Sequence, residues 1–160
     1  MIEAGKTLYF EDVQVGDEPP KLVKGPLTTV HLMRWSAAIE NWHKIHYDHP
    51  FATGHDKLPG CLIAGSMKQQ FLVQILKDWV GPDGWVWKVS FQFRAMNVAG
   101  ETLTTWGKVK AKHEFPDYGV VELELGIVNE AGKESTPGTA SVVLPYRGGK
   151  GVPYPFKPPS

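Results

Sequence analysis

A stretch of eight residues at positions 41–48 (NWHKIHYD), referred to below as the octapeptide, concentrates side chains that can do chemistry. It holds two imidazoles, an amide, an ammonium group and a carboxylate, at the point where a helical pattern passes into a loop. His46 is our first candidate for catalysis, because an imidazole with a pKa of about 6.5 can give or take a proton near neutral pH. The alternative is a structural histidine whose ring only hydrogen-bonds a backbone carbonyl.

The three-residue spacing of His43, His46 and His49 would suit a metal site if the segment were helical. Pro50 and the poor helix-forming composition of the octapeptide argue against a continued helix. A closed metal site needs further ligands, and the sequence offers only scattered candidates after Pro50. We therefore expect no metal.

The polar neighbours of His46 have two interpretations. Glu40, Asn41 and Asp48 are by default residues of a helix end or a turn. In a catalytic site Asn41 could orient a water molecule together with the His46 imidazole. Asp48 would point to the other side of an extended loop, so we expect it to brace the loop.

The longest apolar helical pattern follows Pro59 and is predicted to open at Gly60 and to end near Val80. Its apolar residues step by four and are Ile63, Met67, Phe71, Ile75 and Trp79, flanked by Leu62, Leu72 and Leu76. This wide stripe predicts a largely buried helix. At its positive end the Gly60 N–H could hold a developing oxyanion, and the small residue Gly65 would let a ligand approach closely.

A shorter amphipathic helix is predicted over residues 30–39, and it delivers the octapeptide at its C-terminal end. Thr28 or Thr29 can cap its first turn. Its predicted apolar face consists of Val30, Met33, Ala37 and Ala38. Trp35 and Trp42 are expected to wall an apolar space near the site.

Beyond Gly84 the hydrophobic pattern alternates with period two. Strands are predicted over residues 85–94, 101–112, 120–128 and 139–144, after a short first strand within 21–27. Short connections between successive strands favour antiparallel pairing. The predicted fold is α+β, an antiparallel sheet wrapped around one long central helix.

Composition limits the classes of function. Lysine plus arginine equals aspartate plus glutamate at 17 each, so charge gives no case for nucleic acid or an anionic membrane as partner. We expect one domain over residues 1–147 and a Gly- and Pro-rich tail over 148–160. Cys61 is the single cysteine, and without a signal-peptide pattern or a membrane-length apolar run we expect a cytoplasmic protein.

The octapeptide resembles the motif of MaoC-like hydratases and dehydratases of the hot-dog fold, which act on acyl thioesters. That motif is Asp-x-Asn-Pro-(Ile/Leu)-His-x-Asp, followed by Phe/Tyr-Ala. Ile45, His46 and Asp48 fall into register with it, as do Phe51-Ala52 and Gly60. The segment at 9–17 (YFEDVQVGD) and the order of elements extend the resemblance over about residues 8–145.

Three positions depart from this motif. Asn41 replaces the usual catalytic Asp, His43 the Asn and Lys44 the Pro. This version is similar to a subgroup that includes mitochondrial 3-hydroxyacyl-thioester dehydratase and mesaconyl-CoA-type hydratases. An amide cannot ionise, so the departure leaves the second acid or base open.

The resemblance implies a hydratase or dehydratase that interconverts a trans-2-enoyl-CoA and its 3-hydroxyacyl-CoA by acid–base catalysis, without a cofactor. His46 would activate the water that attacks C3, and the Gly60 N–H would hold the thioester oxygen. Asn41 would orient the water or the thioester. The proton donor to C2 stays open among Glu40, His43 and a group from another subunit. The residues expected to contact substrate are His43, Asp48, Trp42 and Gly65. Partners implied are a second copy in a homodimer or dimer of dimers, paired through sheet edges, or a second hot-dog chain in a heteromer.

Two other functions compete with this one. Asn41 in the place of an Asp favours a non-catalytic hot-dog subunit of a heteromeric hydratase, whereas the retained His46, Asp48 and Gly60 oppose it. An acyl-CoA thioesterase would need a carboxylate on the central helix, and that segment carries no Asp or Glu before Asp78.

Overall fold

The computed structural model describes residues 6–158 of the chain. Its helices and strands, in chain order, are β1 (Val23–Lys24), α1 (Thr29–Ala38), α2 (Gly65–Val80), β2 (Trp85–Phe91), β3 (Leu103–Glu114), β4 (Gly119–Asn129) and β5 (Gly138–Leu144). Two 3₁₀ turns (Phe10–Asp12 and Lys44–His46) and one π-helical turn (Phe51–His55) complete the set.

The five strands form one antiparallel sheet in the order β1-β3-β4-β5-β2. Its long centre is the β3–β4 pair, in which Leu103 lies opposite Asn129 and Glu114 opposite Gly119. One face of the sheet packs against α2 through residues that alternate with exposed ones along β3. The predicted α+β architecture, a sheet around a long helix, is confirmed.

Helix α2 is the buried centre of the fold. Its buried residues are Met67, Lys68, Phe71, Leu72, Ile75, Leu76, Trp79 and Val80, so the predicted stripe is confirmed from position 67 onward. The helix ends at Gly81, whose φ of 72° lies in the left-handed region that suits glycine.

The predicted start of this helix at Gly60 is wrong, because α2 begins at Gly65 with Ala64 as N-cap. The preceding residues instead form lateral backbone hydrogen bonds. Leu62 N–H donates to Ile45 O (2.8 Å), and Ile63 N–H donates to Asn97 O (2.9 Å). The carbonyls of Cys61 and Leu62, which a helix would direct to the N–H groups of residues 65 and 66, instead accept from Ala99 N–H (2.8 Å) and from His46 Nδ1 (2.9 Å), so the chain is not helical here.

Helix α1 is capped by Thr28, as predicted, but its buried face differs from the predicted one. Leu32 and Ser36 are buried, whereas Val30 and Met33 are exposed. Trp35 packs against the core, and its Nε1–H donates to Ser66 Oγ (3.0 Å). This docking side, set by one large side chain and one hydrogen bond, overrides the count of apolar residues.

Strand β2 is shorter than predicted, because it ends at Phe91 and leaves Phe93 beyond it. A register irregularity between Val86 and Lys88 also breaks the predicted alternation. The tail lies across the sheet: the Phe156 ring contacts Trp87 edge-on, with ring centroids 5.4 Å apart. In the part of the chain that is described, no helix has the length and apolar character needed to cross a membrane.

Candidate active site

The octapeptide follows α1 through a sharp bend. Glu40 has a φ of 54° and Lys57 a φ of 57°, both in the left-handed region that costs a residue with a side chain about 1–2 kcal/mol. Asn41 N–H donates to Ser36 O (2.9 Å), which ties the start of the octapeptide to α1. The loop between the two helices is therefore shaped by bends on both sides of the octapeptide.

His46 is buried in the 3₁₀ turn, with 9% of its surface exposed. Its Nδ1 lies 2.9 Å from the carbonyl oxygen of Leu62. A carbonyl oxygen can only accept, so Nδ1 must carry the proton, and in the neutral ring Nε2 keeps its lone pair. This is the tautomer that a general base acting through Nε2 requires.

His43 has the opposite arrangement. It is the N-cap of the same turn, and its Nδ1 accepts a hydrogen bond from Ile45 N–H at 3.4 Å. In the neutral ring Nε2 therefore carries the proton. A proton on Nδ1 would face the Ile45 N–H, so His43 is suited to donate a hydrogen bond as a neutral ring. The centroids of the His43 and His46 rings are 6.3 Å apart.

The side chains of Asn41 and Asp48 stabilise turns at the two ends of the octapeptide. Asn41 Oδ1 accepts from His43 N–H (3.2 Å), which leaves its NH₂ group as the part that could orient a ligand. Asp48 Oδ1 accepts from Phe51 N–H (3.0 Å) at the start of the π-helical turn, the bracing contact expected of it. Contact of either side chain with substrate stays a prediction.

The first turn of α2 begins three residues after Leu62, whose carbonyl accepts the His46 Nδ1–H, and Gly65 rather than Gly60 is its first residue. A Cβ on Gly65 would come within 2.7 Å of the Phe93 ring, so only glycine fits beneath this ring in its present position. Gly60 is buried in a bend against Val98. Free amides at the positive end of the helix dipole therefore belong to the turn that begins at Gly65.

Sequence reasoning missed a buried lysine in α2. Lys68 is only 3% exposed, and its Nζ donates to Ala95 O and to Asn97 Oδ1, each at 3.1 Å. Burial lowers the pKa of Lys68 below its ordinary value, while the nearby Glu101 carboxylate opposes this change. The sequence does contain a signal for this burial. Position 68 is four residues before Leu72 and belongs to the same helical row as Leu72, Leu76 and Val80, which are buried.

The same network contains Glu101. Its carboxylate accepts from Asn97 Nδ2 (2.8 Å), Val98 N–H (2.8 Å) and Asn129 Nδ2 (3.0 Å). Burial raises the pKa of Glu101, but these hydrogen bonds and the Lys68 charge outweigh it and hold the pKa below its ordinary value. The carboxylate therefore stays ionised opposite the buried ammonium.

Several expectations end differently in the structure. Trp42 is 58% exposed, so it does not wall an enclosed space within one chain. A cavity of about 580 Å³ lies between the entry segment and the tail, where Tyr9, Trp85 and Tyr154 line it, and no octapeptide residue is among its walls. Among residues 6–158, no group of three or more His, Cys, Asp or Glu side chains is placed to hold a metal ion.

Comparison with known proteins places this geometry in a family. The model of the family "hydroxyacyl-thioester dehydratase type 2" matches residues 13–101, more than half of the chain. The chain belongs to this dehydratase family. The match includes the octapeptide, His46, Gly65 and Lys68. No curated protein sequence matches the chain.

Solved structures agree on the fold of this dehydratase-family chain. An (R)-hydratase from A. caviae involved in PHA biosynthesis has a TM-score of 0.74 at 20% identity, and the match covers 84% of this chain and 99% of that one. A MaoC-like dehydratase from Rhodospirillum rubrum has a TM-score of 0.75 at 19% identity, covering 88% and 98%. A chain of the ChsH1-ChsH2 complex from Mycobacterium tuberculosis has a TM-score of 0.72 at 16% identity, covering 82% and 98%. The predicted resemblance to MaoC-like proteins and the hot-dog fold are confirmed.

Proposed function

We propose that the protein is a hydro-lyase that adds water to a trans-2-enoyl-CoA and, in reverse, dehydrates the 3-hydroxyacyl-CoA. The observation that carries the proposal is the state of His46. Its ring is buried and its Nδ1–H is bonded to Leu62 O, so Nε2 is available as a base. Membership in a dehydratase family makes hydration the reaction that such a base would serve.

In the hydration direction His46 Nε2 accepts a proton from water while the water oxygen bonds to C3. The electron pair of the C2–C3 double bond moves toward the thioester, whose oxygen gains negative charge. We assign the stabilisation of that charge to Gly65 N–H, because it lies at the positive end of α2. This assignment replaces the one expected for Gly60, which lies outside the helix.

The second proton transfer falls to His46 as well. Asn41 cannot ionise, and in its neutral tautomer His43 presents an Nε2–H and no free lone pair to the substrate. Once His46 has taken the water proton, its Nε2–H is the acid that protonates C2. One group acting on both atoms adds water and proton to the same face of the double bond. In this scheme the His43 Nε2–H and the Asn41 NH₂ orient the water and the thioester.

We also propose that the functional unit contains more than one chain. Exposed apolar side chains, among them Trp42, Phe93 and Met96, lie in the octapeptide and in the segment that covers Gly65. Burial of such residues against a second hot-dog chain, identical or not, would complete a site for an acyl group. A cytoplasmic location accords with a CoA thioester as substrate.

The test is hydration of crotonyl-CoA and of a longer and an aromatic enoyl-CoA, followed by loss of the enoyl-thioester absorbance. We expect activity in the wild-type chain and a loss of about a hundredfold or more in His46→Gln, because a general acid–base group contributes about 10²–10⁴. His113→Gln is the matched control, since His113 is a half-exposed strand residue on β3.

Two other outcomes would contradict the proposed role of His46 or the proposed enzymatic function. Undiminished activity in His46→Gln would contradict the role of His46. A wild-type chain inactive on every enoyl-CoA, yet active when mixed with a second hot-dog chain that co-purifies with it, would make it the non-catalytic subunit.

A further inference from the structure

We infer that Lys68 is a positioning residue for His46 and acts through a buried polar network that no part of the mechanism above uses. The inference rests on the proposed function only for its kinetic consequence. Its structural consequence, the tautomer of His46, can be measured without substrate.

The network begins with a charge that needs partners. Lys68 is 3% exposed, and a buried ammonium is tolerated only when it is paired and hydrogen-bonded. Its Nζ binds Ala95 O and Asn97 Oδ1 and lies 5.2 Å from the centroid of the Phe93 ring. Glu101 provides the opposite charge through Asn97, whose Nδ2 donates to its carboxylate. Through these contacts Lys68 and Glu101 fix the segment from Phe93 to Val98 against the first turns of α2.

The locked segment supports the residues beneath His46. Asn97 O accepts from Ile63 N–H (2.9 Å), Ala99 N–H donates to Cys61 O (2.8 Å), and Leu62 pairs with Val98 as an isolated antiparallel bridge. The stretch 61–63 is thus held as a short strand by the backbone that Lys68 and Glu101 fix.

Leu62 connects this short strand to the catalytic histidine on both of its backbone atoms. Its N–H donates to Ile45 O (2.8 Å), and its carbonyl accepts the His46 Nδ1–H (2.9 Å). Lys68 is therefore connected to His46 by a continuous series of hydrogen bonds, from Lys68 to Asn97, from Asn97 to the 61–63 strand, and from Leu62 to His46. Displacement of segment 95–98 would move the Leu62 carbonyl, and the proton on Nδ1 would lose the contact that selects it.

Lys112 offers a matched control within the same chain. Its Nζ donates to two backbone carbonyls, those of Phe10 and Val13, where Lys68 Nζ donates to one carbonyl and one amide oxygen. Like Lys68, it lies over a phenylalanine ring, at 4.1 Å from the Phe10 centroid. It fixes the 3₁₀ turn Phe10–Asp12 to β3, away from Leu62. Lys112→Met removes a similar anchor without touching the path to His46.

The experiment compares Lys68→Met and Lys112→Met with the wild type. Nitrogen-15 NMR of histidine-labelled protein reports which ring nitrogen of His46 carries the proton, with His46→Gln identifying the signal. We expect a neutral ring protonated at Nδ1 in the wild type and in Lys112→Met, and a mixture of tautomers in Lys68→Met. In crotonyl-CoA hydration we expect kcat to fall by about ten- to a hundredfold in Lys68→Met alone, with a smaller change in KM.

Glu101→Gln keeps the inference testable if Lys68→Met does not fold, because it removes the charge partner and preserves the side-chain shape. We expect the same shift of tautomer, to a smaller extent. An unchanged His46 tautomer in a folded Lys68→Met or in Glu101→Gln would overturn the inference, and so would an equal change in Lys112→Met. A shifted tautomer in a chain without hydratase activity would instead leave the positioning role intact and refute the proposed function.

Discussion

The buried and the exposed side of the octapeptide hold chemically identical rings in different states. On the buried side, His46 faces a carbonyl and must place its proton on Nδ1. On the exposed side, His43 faces the Ile45 N–H, so its Nδ1 must be unprotonated to accept that hydrogen bond. The two residues are three positions apart in one turn, so the difference comes entirely from the backbone group that each ring meets. In the neutral rings, Nε2 of His46 therefore carries a lone pair that can accept a proton, and Nε2 of His43 carries a proton that can be donated in a hydrogen bond.

The sides also differ in support. His46 rests on Leu62, which is held by Ile45 and by the bridge to Val98. His43 contacts Phe51 edge-on at 6.5 Å between centroids, and Phe51 in turn stacks on the exposed His55. Changes on the buried side should therefore alter both geometry and rate, whereas changes on the exposed side should alter contacts with substrate alone.

The largest effect that separates the two sides, after that of the His46 variants, is expected from His43. His43→Gln keeps an N–H donor, and we expect hydration of crotonyl-CoA within about tenfold of wild type. His43→Leu removes the donor, and we expect a loss of about ten- to a hundredfold, since one such donor is worth about 10²–10³ at most.

The pH dependence of each variant gives the control. If His43 only donates a hydrogen bond, both variants should keep the wild-type pH profile. A lost limb in the profile of His43→Leu would show that His43 exchanges a proton, and the comparison between the two sides would fail.

A smaller effect, on stability, is expected from the network on the buried side. The folded-state pKa of Glu101 lies below its ordinary value, so its stabilisation is present above the unfolded pKa and is lost as pH falls through the folded pKa. Glu101→Gln should lower the free energy of unfolding by about 1–3 kcal/mol near neutral pH. Urea unfolding should show the difference from wild type shrinking as pH falls below about 4.5. A difference independent of pH would show that the Glu101 charge contributes nothing.

The smallest effect is expected where the chain enters the exposed side. Glu40 has a φ of 54°, so Glu40→Gly should stabilise the fold by up to about 1 kcal/mol, because glycine adopts this conformation without steric cost. Ala37→Gly, inside α1, should instead destabilise by about 0.5–1 kcal/mol. Thermal unfolding of both variants measures these two changes in stability. Loss of hydratase activity in a folded Glu40→Gly would assign the second proton transfer to Glu40 and contradict a single histidine acting twice.

Much of the fold was predictable because periodicity reports which side of an element is buried. The row Met67, Phe71, Ile75 and Trp79 predicted a helix inside a sheet, and the alternation in β3 and β4 predicted strands. Periodicity failed for α1, where Leu32 and a Trp35 hydrogen bond decided the docking side. It failed again at Gly60, because lateral hydrogen bonds to residues distant in the chain delay the helix to Gly65.

For the site, the residue types in the octapeptide were enough to single out His46 and to rule out ionisation of Asn41, since both follow from side-chain chemistry. Tertiary contacts decided the rest. The tautomers of His43 and His46 depend on which backbone group each ring meets, and the role of Lys68 depends on Asn97 and Glu101, which lie about thirty residues further along the chain. A local pattern cannot carry such information, because hydrogen bonds between distant segments exist only once the sheet has closed around the helix.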